Sequence, residues 1–500
     1  MIELPWTINR LIHLRYLDIS DNFGIQQLPE SLSYLHNLQY FDLNNCQVQT
    51  FPAGITNLIN LRQLISVDEI ISKISSIGKL INLQTLPTFK VLKGDGHKLT
   101  ELSSLTQLHG RLRIINLGNV EDKMEASAAK LHDKVHLDEL VLAWTSNQNS
   151  SFDDNALHAS EEILEELQPH SKLKSLTIRG YRGARAPSWL HTETLASLET
   201  LRLENCGRWE DVAFIRQLLH LRSLYLKGIP AMKQTTRELF GPPIENKFFQ
   251  GLKELVLEGM DLLDELSSLG NLPCLRILQI SGMPAVKILG LEFHGFADQG
   301  NHFPCLEELK FSNMSEWEEW TWTGDSELFP CLLVLKIEDC PKLKMLLPLP
   351  PSLTTLELWQ NGLVELPGLW NKINGSSSNM IASLSKLYVS ECPNLRILDQ
   401  GLLFHDLPNI ESIEIHECQE LLWLPVKRFK EFTSLKNLSI KNCPMLMSST
   451  EYKSDKLLLP PSIEKLTLLD CGNLSEALRR CLLNLPLISQ LEIGHPPTQG

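Results

Sequence analysis

Apolar positions along the chain return in one short spelling. In Leu435-Lys-Asn-Leu-Ser-Ile-Lys-Asn-Cys-Pro-Met-Leu446, aliphatic residues hold the first, fourth, sixth and twelfth places, and a cysteine holds the ninth. The spelling is clear at Leu14 and Leu38, begins at Leu61 and decays by Ser66, and blurs through Leu92. It resumes at Leu112-Arg-Ile-Ile-Asn-Leu117 and Leu137, then returns from Leu173 to Ile488. Decayed copies included, the chain holds about 19 units, most of them in the low to middle twenties of residues and several near 30. A period of this length marks a solenoid, in which each unit hides its apolar face only by stacking on the next.

The spacing also predicts what each unit does. The fourth and sixth places alternate with polar residues, as on a short strand with one buried face. Parallel stacking pairs each strand with the strand of the next unit, and each leucine contributes roughly 1.5–3 kcal/mol on burial. The expected fold is an α/β leucine-rich-repeat solenoid, a horseshoe with a concave parallel sheet and irregular loops or short helices on the convex face. Helices are expected at Glu121–Leu131, Leu157–Leu167 and Ser475–Leu485, the second with a cap region around Ser160. Loops are expected at Thr145–Asp154 and Asn371–Asn379, and a turn at Lys93–Gly96. The pattern divides the chain into N-terminal repeats over 1–92, a distinct segment over 93–170, regular repeats over 171–494 and a tail over 495–500. Neither end reads as capped, as though the repeat were cut from something longer.

Composition narrows the function. The net charge of −14 argues against a general nucleic-acid or anionic-membrane binder. No apolar run has the length of a membrane span, and Met1-Ile-Glu-Leu-Pro-Trp6 lacks the charge pattern of a secretory signal, which points to a soluble chain in the cytoplasm or nucleus. Seven of the 11 cysteines (Cys46, Cys206, Cys340, Cys392, Cys418, Cys443, Cys471) share the ninth place, so a packing role as buried reduced thiols explains them better than pairing does. Met260, Met283 and Met314 fill the same place.

Candidate chemistry is thin. His132-Asp-Lys-Val-His136 spaces two histidines four apart but lacks the glutamate of a zinc-protease helix. There is no C-x-x-C pair, no G-x-S-x-G and no gathered carboxylate pair, so no catalytic and no metal site is expected. Glu316-Trp-Glu-Glu-Trp-Thr-Trp322 reads as a packing element rather than a partner patch. The residues between the buried aliphatics should project from the concave face, the default binding surface of a solenoid. Aromatics and arginines there make the best anchors for a protein partner: Arg179, Arg202, Tyr225, Trp359, Tyr388 and His416.

Several stretches resemble the leucine-rich-repeat region of plant intracellular nucleotide-binding (NLR) disease-resistance proteins of the coiled-coil class common in cereals. They include His13-Leu-Arg-Tyr-Leu-Asp-Ile-Ser20 with Leu28-Pro-Glu-Ser31, Leu108-His-Gly-Arg-Leu-Arg-Ile-Ile-Asn-Leu117, and Ala128-Ala-Lys-Leu131 leading to Leu140-Val-Leu-Ala-Trp144. Pro187-Ser-Trp-Leu190, Trp317-Glu-Glu-Trp320 and the recurring Cys-Pro-x-Leu add to the likeness. The resemblance implies a non-catalytic recognition region in defence. Such a region binds a pathogen effector or host guardee and restrains its own nucleotide-binding domain. In that family ADP or ATP belongs to an upstream domain. No G-x-x-x-x-G-K-[ST] loop occurs here, so no cofactor is assigned to this chain. The alternatives are a substrate-recognition scaffold of a ubiquitin ligase and a truncated receptor fragment.

Overall fold

The computed structural model describes residues 3–94, 96–144, 154–191, 193–232, 236–240, 248–267, 269–295, 302–322, 328–369, 382–398, 401–425, 428–446, 459–472 and 485–494. All but Leu485 of the expected helix at Ser475–Leu485, all but Asp154 of the expected loop at Thr145–Asp154, the expected loop at Asn371–Asn379 and the tail lie outside these residues. The chain divides into two compact units, Met1–Met232 and Lys233–Gly500.

Both units are built of parallel strands linked in sequence order. In the first, Tyr16–Asp18, Tyr40–Asp42 and Gln63–Ile65 form one three-stranded ladder. A second run continues strand by strand from Thr88–Lys90 through His109–Ile115, His136–Ala143, Ser175–Arg179 and Thr200–Glu204 to Ser223–Lys227. In the second unit ten strands follow one another from Glu254–Glu258 to Gln490–Gly494. The repeat therefore folds as a leucine-rich-repeat stack in both units. In Asn437–Lys441, Leu438 and Ile440 are buried while Asn437 and Lys441 stay half-exposed. Short 3-10 helices fill much of the return path. Trp6–Arg10, Glu30–Tyr34 and Ala53–Asn57 each follow a proline cap whose ring fixes φ between −55° and −70° and whose ψ, 141° to 146°, is extended, so the turn starts at the next residue.

Strand ends share one device. The eighth residue of the unit takes a left-handed backbone, as at Asp21, Asn45, Asn205, Asn313, Asp339, Asn442 and Asp470, and at Gly228, Gly259 and Gly282. This bend turns the ninth residue inward. Where that residue is Asn or Cys, its side chain donates to a backbone carbonyl of its own unit or of the preceding one. Asn361 Nδ2 bonds the Ile337 oxygen of the preceding unit at 2.8 Å, and Cys471 Sγ does the same with Ile440 at 3.0 Å. The ninth-place thiols are buried as expected, with Cys46 half-buried. Burial pushes Cys206, Cys340 and Cys471 up to about 12, which makes them poor nucleophiles.

Four expectations change. The unit assigned to Leu112 begins at Leu108. Leu112 and Ile114 pair with Leu140 and Leu142 and are buried, whereas Ile115 is not. One extra residue produces the offset: the register slips between Gly110 and Arg111, and Gly110 accommodates the bulge at φ +72°. The blurred stretch before Leu92 carries a true strand, Thr88–Lys90. Ser160 does not mark a helix start, because its helix runs from Asp154 to Glu166 and places it mid-helix. The helix expected at Glu121–Leu131 forms over Lys123–Ala128. Asp122 caps it by accepting from the Glu125 amide at 2.9 Å, and a 3-10 turn, Leu131–Asp133, follows.

The tryptophan-rich run is a packing element. Trp317 and Trp320 are buried against Phe311, and Trp320 also packs on Phe293 and Phe329. Its backbone adds a small parallel pair, Ile288–Leu289 with Glu319–Trp320.

Candidate protein-binding face

The open face of each strand is set by the pleat. When Leu387 and Val389 point into the core, Lys386 and Tyr388 point out, and Ser390 falls on the same outward side although its neighbours cover it. Stacking in register then turns single outward residues into rows. One row of the second unit reads Glu338, Trp359, Ser390, His416, Lys441; the next reads Lys336, Glu357, Tyr388, Glu414, Ser439.

Three predicted residues meet on these rows. Trp359 is 37% exposed, and its indole Nε1 donates to Glu391 Oε1 at 2.8 Å. Tyr388 and His416 pack edge to face, their rings 5.7 Å apart at 89°. His416 Nε2 lies 2.9 Å from Ser439 Oγ, and burial, with Lys441 beside it, holds the imidazole below its usual range. Two ion pairs flank the aromatics, Lys336–Glu357 at 2.9 Å and Lys310–Glu338 at 2.7 Å. A bonded carboxylate raises the Lys336 ammonium above its usual range, so this cation stays charged. The result is a firm aromatic ridge with fixed charges on one side.

Glu391, the anchor of Trp359, is a residue that sequence reasoning missed. It also accepts from Gln360 Nε2 at 2.6 Å. A signal was present: most eighth-place residues are Asn, Asp or Gly, but Gln360, Glu391 and Glu417 occupy that left-handed place in three successive units. Large side chains there carry strain that the neighbours must hold. The three line a shallow groove of about 500 Å³ with Asp339 and Gln419, an acidic rim beside the aromatic ridge.

The other predicted residues sit in the first unit. Arg179 is exposed and paired with Glu204, its Nε 2.7 Å from the carboxylate. Arg202 lays its guanidinium 3.3 Å from the centre of the Tyr225 ring. Tyr225 is consequently 8% exposed, and the expectation of an open tyrosine is corrected: what the surface offers there is Arg202. His132 and His136 do not share a helix face, because the 3-10 turn ends between them and His136 opens a strand. Among the described residues, no group of three or more His, Cys, Asp or Glu is placed to hold a metal ion. No helix among them is long and apolar enough to cross a membrane.

Comparison with known proteins places these repeats. Residues 99–229 match the family model described as R13L1/DRL21 leucine-rich repeats, which spans the bulged unit at Leu108 and both arginine strands. The chain is 30% identical over 481 residues to disease resistance RPP13-like protein 1 of Arabidopsis thaliana, covering 90% of this chain and 40% of that protein. It is 31% identical over 412 residues to disease resistance protein At3g14460 of the same plant, covering 75% of this chain and 25% of that one. It is 30% identical over 226 residues to disease resistance protein RGA1 of Solanum bulbocastanum, covering 45% of this chain and 22% of that one. The chain thus spans at most two fifths of the length of these relatives. Its repeats are those of a leucine-rich-repeat region of plant NLR disease-resistance proteins.

Proposed function

We propose that this region is the non-catalytic recognition and autoregulatory part of a plant immune receptor, working in the cytoplasm. Its open strand face takes a pathogen effector or a host guardee. The same stack restrains a nucleotide-binding switch domain of the parent protein, and ADP or ATP is held by that domain. The observation that carries the reading is the contrast within each unit. The aliphatic and ninth places repeat, while the outward rows do not, running from Trp359 and Tyr388 to Arg202. Likeness to disease-resistance proteins over nine tenths of the chain supports the same reading.

Restraint and release need a difference in affinity. The face must bind the resting switch domain better than the active one, and the effector or guardee must reverse that preference. The test is a parent receptor carrying Trp359→Ala and Tyr388→Ala together. Its expected behaviour is unchanged thermal melting with a lost response to the effector, because both side chains project from the sheet. A loss of the fold, or a full response, would overturn the assignment of this face.

A further inference from the structure

Among the described residues, three cysteines outside the ninth place are exposed, and all three occupy one other place, directly before the first leucine of consecutive units: Cys274, Cys305 and Cys331. Two of them belong to identical turns. Phe303-Pro-Cys-Leu306 and Phe329-Pro-Cys-Leu332 each begin with a left-handed phenylalanine, at φ 52° and 55°. Each closes by a bond from the leucine amide back to the phenylalanine carbonyl, at 3.3 and 3.2 Å.

The two turns are held against each other on both sides of the cysteines. Before them, His302 bridges Leu328, and the Phe303 and Phe329 rings stack 5.1 Å apart. After them, the Leu333 amide bonds the Glu307 carbonyl at 2.9 Å. Cys305 and Cys331 each lie three residues past the bridge, so they are register partners. Neighbouring strands lie roughly 4.8 Å apart, within the roughly 4.4–6.8 Å between Cα atoms that a disulfide spans. Side chains in this column do reach the neighbouring turn: Ser352, Ser434 and Ser462 hold the same place and donate to Leu332, Pro408 and Leu435 oxygens of the preceding unit. Cys274 is less well matched. Downstream, the Glu307 amide bonds the Arg276 carbonyl at 2.8 Å and aligns Cys274 with Cys305, but the upstream bond, from the Phe303 amide to Gly270, lies four residues before Cys274 and only two before Cys305.

We propose that Cys305 and Cys331 form a surface dithiol that a hydroperoxide closes into a disulfide. One thiolate attacks the peroxide oxygen and becomes a sulfenic acid, releasing one water once protons are balanced. The second thiol attacks that sulfur and expels a second water. Two thiols and one hydrogen peroxide thus give one disulfide and two waters, and the bond staples two adjacent repeats around the tryptophan-rich segment. Six of the seven ninth-place thiols lie buried in the core, away from this surface pair, and Cys46 is half-buried.

The experiment treats the whole folded chain with hydrogen peroxide at neutral pH, alkylates the remaining thiols and maps the unreduced peptides by mass spectrometry. The expected product is a Cys305–Cys331 linked peptide pair that dithiothreitol separates and that is absent from Cys305→Ser. That variant should melt as the parent does, since Ser352 already fills the place one unit later. A trivalent arsenical, which needs two neighbouring thiols, should bind the parent and lose at least tenfold in affinity for Cys305→Ser. Linkage of Cys274 to Cys305, links only between chains, or single-thiol oxidation without a link would overturn the proposal.

Discussion

Lys134 shows how much one buried polar residue can hold. Its side chain is fully enclosed, and its ammonium donates to the carbonyls of Leu102 and Leu105 at 2.6 and 3.2 Å, at the end of the 3-10 helix Leu99–Ser104. Burial draws it down to about 8, partly offset by Asp133. Lys134→Ala leaves both carbonyls without this donor and opens a cavity. The expected loss is about 2–4 kcal/mol, read as a lower urea midpoint. His294 is the acid-sensitive counterpart. Enclosed by Phe293, Phe303, Trp320, Trp322 and Phe329, it is held down to about 3 by burial, with His302 adding to the effect. The unfolded chain therefore takes up this proton first. Stability from His294 is complete above about pH 6.5 and is lost as pH falls toward 3, at about 1.4 kcal/mol per pH unit. Melting temperature should fall across that window, and His294→Phe should flatten the fall.

At the scale of the element, the strand and its terminal bend act together. Leu201 and Leu203 are fully buried between neighbouring units, so Leu203→Asp places a charge in the core at a cost of about 4 kcal/mol or more. In a stack of nearest-neighbour contacts the damage should spread outward. Hydrogen exchange should accelerate first in Ser175–Arg179 and Ser223–Lys227; unchanged exchange there would refute the register. Gly110 tests the bulge. At φ +72° an alanine carries about 1–2 kcal/mol of strain, although its methyl group would meet no heavy atom within 4 Å, so Gly110→Ala should destabilise through backbone conformation alone. The six-residue helix Lys123–Ala128 is legible in the sequence because its cap and alanines lie close together. The longer helix from Asp154 reads short there because its first turn has little apolar periodicity.

For the whole molecule, the proposed recognition face rests on rows that no single repeat contains. Trp359, Tyr388 and His416 come from three successive strands, and Glu391 reaches back one unit to fix Trp359. Protection should vary along the stack in the same way. Exchange should be slow in Lys386–Ser390, which has a strand on either side and two buried aliphatics, and fast in Gln490–Gly494, where four of five residues are exposed. Sequence alone determined the repeat, its inward places, the packing role of the ninth-place cysteines and the likeness to disease-resistance receptors, because these depend on spacings of a few residues. Tertiary structure decided the frame at Leu108, the covering of Tyr225 by Arg202, and the pairing of Cys305 with Cys331. Those depend on contacts between residues some 25 apart, where one inserted residue moves every partner and no local spacing records it.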